Sequence, residues 1–407
     1  MIATLTRAQV YGSVAMSTAV QTLTAFALAV PSVIATVAAP DVGMPAARVG
    51  VLVSVFFCAA IVSGLLSGAL SRRFGPIATL RYCVLLIASA LAIVGGAHIS
   101  LVIVYALLAG VAHGVVNPVC SLVLAQAVPT RQRSMMFSIK QTGVPLGSAV
   151  AGVLLPPLLL FMIWGQALFC LALGSVFLLL ALRPFYVLFD TERDPLASIQ
   201  FFGVRESFEE IMANPRVLQL VFAATTFSLV QLAVTTFLVI YLHVELGYSL
   251  LAAGAVFSAL SIASVFGRVF WGWIADRTGK PRRVLAVIGM IMGVCCLASG
   301  LFSSQWPTWA VVLVALLLGA SAVSWNGVFL AEIARLAPEG RVAGMTSCAQ
   351  AVFFAGSLIG TPLFGAIADK IGSFAPCYLA LACLPIACGA ALLRSSRLTE
   401  RQTNEAA

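Results

Sequence analysis

Long apolar runs alternate with short polar breaks along the whole chain. They predict membrane-spanning helices at 9–37, 48–71, 79–98, 101–125, 134–159, 163–183, 216–243, 251–275, 284–303, 308–331, 345–367 and 374–394. Each is close to the roughly 20 apolar residues that carry a helix across ~30 Å of hydrocarbon. The one long polar segment, 184–215, holds Asp190, Glu192, Arg193, Asp194, Arg205, Glu206, Glu209 and Glu210. It divides the chain into a six-span half at 1–183, a linker at 184–215 and a second six-span half at 216–407. The expected fold is an all-α membrane protein of twelve helices in two six-helix halves.

Composition agrees. Of 407 residues, 61% are hydrophobic and 9% are charged, against roughly 25% charged in soluble domains. Twelve spans leave no room for a sizeable soluble domain. A net charge of +9 raises the question of a nucleic-acid partner, but the Lys and Arg sit singly or in small groups between spans. They read as topology signals, and no nucleic-acid partner is expected. With both termini inside, Arg48 and Lys370 fall outside, and Lys140 and Arg268 fall within spans; the rest of the 23 basic residues lie on the cytoplasmic side. The expected location is the cell inner membrane, multi-pass, with both termini cytoplasmic. Residues 8–39 end in Ala38–Ala39 like a signal peptide, but the apolar run is long and its only nearby basic residue is Arg7. That marks an uncleaved first helix. The ten Cys show no CxxC or metal-ligand spacing, and most, including Cys58, Cys120, Cys170, Cys295 and Cys296, lie in apolar stretches. They are expected to be buried small hydrophobes, with no disulfide, no metal and no cofactor.

The halves resemble each other at an offset of 209 residues, which sets 117–148 on 326–357: Asn117 falls on Asn326, Pro129 on Pro338, Gln141 on Gln350 and Gly147 on Gly356. At an offset of 210, Gln21 falls on Gln231. The matched residues are polar ones and helix breakers, which chance similarity of apolar sequence does not favour. Repeated six-helix halves are the build of many secondary transporters, with the binding site between them near the midplane.

After the eighth span comes GWIADRTGKPRR (272–283), and after the second GALSRRFGP (68–76). The first resembles in full the loop signature of the major facilitator superfamily, G-x-x-x-D-R-x-G-R/K. The second is a weaker copy, with Arg72 at the Asp position and Pro76 at the final basic position. Both fall where that family places them. The resemblance implies a carrier that rocks its two halves about a central site. It also implies a cytoplasmic gate in which Asp276, Arg277, Glu332, Arg335 and Arg341 form a charge network. The alternative is a set of solvated loop charges. Arg72 means that the first copy cannot work in the same way. The glycine-proline signature that the family's drug antiporters carry in span 5 is met only loosely by GVPLGSAVAG (143–152), and their span-4 Arg has no counterpart.

Charged residues at membrane depth are expensive and usually functional. Lys140 is seven residues beyond Arg133, and Arg268 is eight before Asp276; both therefore lie ~10 Å deep at 1.5 Å per residue. Lys140 shares a helical stripe with Gly143, Gly147 and Ala151, and Arg268 with Ser261, Ser264 and Gly272. Small-residue stripes face other helices. No Asp or Glu lies at that depth in any span. Two buried cations without an anion are costly, so the missing partner is read as the substrate: a small organic anion, most simply a carboxylate, which Arg binds bidentately. The Arg268–Gly272–Asp276 spacing also resembles that of monocarboxylate and oxalate carriers. The competing reading has Lys140 snorkelling to the interface and Arg268 bonding to helix carbonyls. Spans 1, 4, 7 and 10 are expected to line the centre, offering Gln21, Thr24, His113, Asn117, Gln231, Thr235, Trp325 and Asn326. His113 is the titratable group there, and it is weighed as a proton carrier against a neutral packing residue.

The first functional reading is thus a secondary active transporter of a small organic anion, monomeric, coupled to protons or a counter-anion. The alternative is a proton-coupled efflux pump for drugs or secreted metabolites. A receptor would need a signalling domain. An enzyme would need a constellation of His, Asp or Glu that is missing here, and ATP drive would need a Gly-Lys-Ser/Thr loop.

Overall fold

The computed structural model describes residues 6–128, 133–191, 193–197, 204–337 and 342–405. Among these the regular elements are helical, with no strand. The chain forms two compact units, Met1–Ala46 with Val51–Phe202, and Ala47–Gly50 with Gly203–Ala407. The first holds α1 (Arg7–Val42), α2 (Val49–Phe74, whose first two residues group with the second unit), α3 (Pro76–Ile93), α4 (Ile99–Ala127), α5 (Arg133–Gln141), α6 (Gly143–Leu158), α7 (Trp164–Ala181) and α8 (Arg183–Phe189). The second holds α9 (Val204–Ala213), α10 (Pro215–Val244), α11 (Leu250–Thr278), α12 (Pro281–Gly300), α13 (Thr308–Ala322), α14 (Asn326–Leu336), α15 (Val342–Ile371) and α16 (Ala375–Glu405). Among the described residues, eleven helical stretches are long and apolar enough to cross a membrane. The remaining predicted span, 134–159, is met by α5 and α6 together.

Local chemistry sets the helix ends. Thr6 and Gln9 form a capping box at α1, the Gln9 amide donating to Thr6 Oγ1 and the Thr6 amide to Gln9 Oε1, so two otherwise orphaned donors are satisfied. Pro215 opens α10, where its missing N–H costs nothing, and Asn214 Oδ1 accepts from the Arg216 amide at 3.0 Å. The loop signature is read here as backbone geometry. Gly279 ends α11 at φ +61°, its amide bonding to the Ala275 carbonyl, a left-handed conformation that glycine adopts at little cost. In the weaker copy Gly75 follows α2 at φ +92°, its amide bonding to the Ser71 carbonyl. There the carboxylate of Asp190, from the end of α8, accepts from the amides of Ile77 (2.7 Å) and Ala78 (2.8 Å). A Cβ on Gly75 would lie 2.5 Å from Asp190 Cγ. The first copy, with Arg72 in place of Asp, therefore receives its carboxylate from the linker, at the electropositive start of α3.

Packing repeats between the units. α1 packs on α6 as α10 packs on α15, and α3 on α4 and α7 as α12 on α13 and α16. Gly110 of α4 lies against the Phe56 carbonyl of α2, and Gly319 of α13 against the Leu260 carbonyl of α11. These glycines are themselves 209 residues apart. Of the cysteines, Cys58, Cys170 and Cys383 are exposed and the other seven are buried. The expectation of burial fails for those three because a helix face of a membrane protein can be apolar and exposed at once.

Two expected spans are broken. The fifth is interrupted at Thr142, where Pro145, four residues beyond Gln141, cannot donate to the Gln141 carbonyl. The tenth is interrupted at 323–325, between α13 and α14. Helical stripes drawn through either break do not hold.

Candidate functional site

The break at Thr142 changes the surroundings of Lys140. Gly143 and Gly147, beyond the break, lie against the Thr18 and Thr22 carbonyls of α1. Lys140, before it, turns to α4 and is completely buried. Its Nζ donates to the Oδ1 and the carbonyl of Asn117 and to Ser121 Oγ, the last two at 3.3 Å. The expectation of a cation without partners is thus corrected for Lys140: three neutral oxygens from one turn of α4 satisfy its three donors. Asn117, expected to face a ligand, is occupied by it.

His113 lies with its ring 5.2 Å from that of Phe56 and 6.1 Å from that of Phe57, and its Nδ1 is buried without a hydrogen-bond partner. Gln21 is 2% exposed, and its Oε1 has no hydrogen-bond partner.

In the second unit, Gln231 Oε1 accepts from Trp325 Nε1 at 3.0 Å and from Asn326 Nδ2 at 3.3 Å. The pairs Gln21/Gln231 and Asn117/Asn326 are therefore symmetric in sequence and different in bonding. Trp325 is fully buried, edge-on to Phe227, Phe329 and Phe353 at 5.3–5.9 Å between centroids. It is a core residue, which corrects its expected place on a pocket wall. Thr235 and Thr24 bond to helix carbonyls, those of Gln231 and Gln21.

Arg268 carries a charge where Gln21, also unsatisfied, does not. It lies on α11, its Nε is buried and without a hydrogen-bond partner, and among the described residues no carboxylate pairs with it. Its neighbour Gly267 brings α11 close to the break in the tenth span: a Cβ there would meet Ser324 Oγ at 2.6 Å and Ala320 Cα at 2.7 Å. Ser324 Oγ bonds to the Ser264 carbonyl at 3.1 Å, and Trp271 Nε1 donates to the Ala320 carbonyl.

The charges expected to form a gate are arranged differently. Glu332 is 1% exposed. Arg335 reaches it with two bonds, at 2.7 and 2.8 Å, and Arg282 Nε lies 3.5 Å away. Arg282 also donates to the Arg216 carbonyl at 2.7 Å. Asp276 and Arg277 are both exposed and stand outside this cluster; Arg277 lies over the Trp273 ring, 5.3 Å from its centroid. That contact joins neighbours on one face of α11, i and i+4. Arg341, Pro129 and Pro338 lie outside the described residues. Arg282 was missed because it reads in sequence as one more topology charge.

Among the described residues no group of three or more His, Cys, Asp or Glu could hold a metal. Comparison with known proteins points one way. The chain is 30% identical to a gallate transporter of Pseudomonas putida over 319 residues, 69% of this chain and 68% of that one. It is 35% identical to probable anion transporter 6 of Oryza sativa subsp. japonica over 129 residues, 31% of this chain and 30% of that one. A peptide transporter solved in complex with sulfate shares the fold at a TM-score of 0.75 and 16% identity, covering 96% of this chain and 95% of the other. Residues 15–332 match the Major Facilitator Superfamily, and the chain belongs to that family.

Proposed function

We propose that this transporter moves a small organic anion, a carboxylate, across the cell inner membrane by alternating access, with both termini in the cytoplasm. The observation that carries the reading is Arg268, a guanidinium inside a span with an unsatisfied Nε and no protein anion beside it among the described residues. A charge in that position needs a counter-ion, and the fork of an arginine fits a carboxylate at two points. The likeness to carriers of gallate, itself a carboxylate, and of anions supports the same chemistry.

In this reading Arg268 binds the substrate. Gln231 and Asn326 set the polar surroundings, and Lys140 holds α5 against α4 through Asn117. The cluster of Glu332, Arg282 and Arg335 steadies the cytoplasmic end of the second half during the transport cycle, with Asp276 and Arg277 in the last turn of α11 outside it. An anion entering against a negative interior has to be exchanged for another anion or accompanied by a cation.

The test is uptake of radiolabelled benzoate, lactate and gallate into proteoliposomes, with glucose and tetraphenylphosphonium as controls. At least one carboxylate is expected to accumulate and the controls are not. Arg268→Ala is expected to lower that uptake by about 100-fold, the order set by truncating one partner of a desolvated, hydrogen-bonded charge pair. Uptake of carboxylates unchanged in Arg268→Ala would remove the basis of the proposal.

A further inference from the structure

The break at 323–325 leaves α14 starting inside the membrane. The helix begins at Asn326, within the apolar stretch Thr308–Ile333 that is long enough to cross. Its N-cap is Trp325, whose side chain makes no capping bond to the helix start and donates instead to Gln231. Ser324, one residue earlier, is already committed to the carbonyls of Ser264 and Gly319. The first backbone bond of the helix runs from the Phe329 amide to the Trp325 carbonyl. The amides of Asn326, Gly327 and Val328 therefore meet no acceptor among the described residues. Orphaned donors at a helix start are ordinary in water and costly in hydrocarbon.

Two features show what those amides face. Gly327 is exposed, and a Cβ built on it would meet nothing within 4 Å. Side chains tilt toward the N-terminus of their own helix, so this open space lies on the side to which the first-turn amides point. The second feature is Arg268. α11 runs alongside α13, with Leu260 meeting Gly319 and Gly267 meeting Ser324. Carried one residue further, that register sets Arg268 level with the first turn of α14. The register thus sets Arg268, with its unpartnered Nε, and the first-turn amides of α14 at one level of the second unit. Both are donors, and both favour negative charge.

Resting on the anion-carrier reading, we infer that the first turn of α14 is the other half of the carboxylate site: the guanidinium of Arg268 takes the carboxylate on one side and the amides of Asn326, Gly327 and Val328 take it on the other. Gly327 keeps the approach to those amides clear.

Gly327→Asp tests this directly. An aspartate in the first turn delivers its own carboxylate to the same amides and is favourable for the helix. The purified variant is expected to melt no lower than wild type. It is also expected to lose the thermal stabilisation given by whichever of benzoate, lactate and gallate binds wild type best, with affinity down at least ~10-fold, the order of one charge-assisted contact. Gly327→Asn, uncharged and of the same shape, is expected to lose less. A reading independent of any variant is amide hydrogen exchange in the wild type, where the ligand is expected to slow residues 326–328. Wild-type affinity in Gly327→Asp, or exchange at 326–328 unmoved by ligand, would overturn the subsite. If Arg268→Gln abolishes binding while either of those results is found, the anion reading stands and only this inference falls. If none of the three carboxylates stabilises the wild type, both fall.

Discussion

Glu332 is buried between two arginines, of which Arg335 is 66% exposed at its side chain and Arg282 is 13% exposed. Geometry alone would rank the bidentate Arg335 contact first. Solvent reverses the order, because an exposed partner is screened and contributes ~0–1 kcal/mol, whereas removing one member of a buried pair costs ~3–5 kcal/mol. Arg335→Gln is therefore expected to lower the unfolding free energy by less than ~1 kcal/mol. Glu332→Gln, which strands Arg282, is expected to lower it by about 3 kcal/mol. Denaturant titration in micelles measures both, and equal losses would show that exposure does not decide the matter. At this scale the sequence was informative about residue type and poor about partners. Lys140 and Arg268 read as equivalents, two lone cations at equal depth. The structure separates them by a local event, the interruption at Thr142, which turns Lys140 onto Asn117 and Ser121. The signal for that event was on the page as Pro145, four residues beyond Gln141.

Among the elements, hydropathy made the spans legible because a bilayer demands the same apolar length of each. It said nothing about interruptions, since a broken helix and a continuous one have the same composition. The break at 323–325 contains no proline; its cues are Ser324 and Asn326, whose side chains compete for backbone, and Gly327. The repeat carried more than its polar matches revealed. Gly110 and Gly319 occupy equivalent places and perform the same task, letting α4 rest on α2 and α13 on α11 at backbone contact. A methyl group at either meets a carbonyl oxygen that belongs to a helix rather than to a flexible side chain. Gly319→Ala is expected to destabilise by ~1–3 kcal/mol, the usual cost of overpacking. Gly174→Ala on α7, where a Cβ would meet nothing within 4 Å, is expected to be neutral or to gain ~0.5–1 kcal/mol from helix propensity. Thermal unfolding of the two variants side by side is the measurement. A stable Gly319→Ala would mean that α11 and α13 part without loss.

For the whole molecule, orientation follows from how unevenly the basic residues are spread. Arg72, Arg73, Arg131, Arg133, Arg282, Arg283, Arg394, Arg397 and Arg401 all cluster at ends that face the same side if the spans alternate. The opposite side carries Arg48 and Lys370. Within the second unit even Arg48 is offset, its Nε lying 3.4 Å from Asp369. The loop between α12 and α13 carries no charge, and Trp309 beside it is 70% exposed, as suits an aromatic anchor at a membrane interface. The basic clusters are short and close to span ends, the range over which such charge governs insertion. An alkaline phosphatase fusion after Gln305 is therefore expected to be active, and fusions after Asp194 and Glu405 inactive, since the enzyme works only when exported. The three sites are informative together. The linker and the C-terminus report the same side only if an even number of spans separates them, and Gln305 reports the other side only if an odd number of those spans follows it. Active fusions at Asp194 and Glu405 with an inactive one at Gln305 would invert the molecule, placing the Glu332 cluster on the outer face and ruling out its part in a cytoplasmic gate.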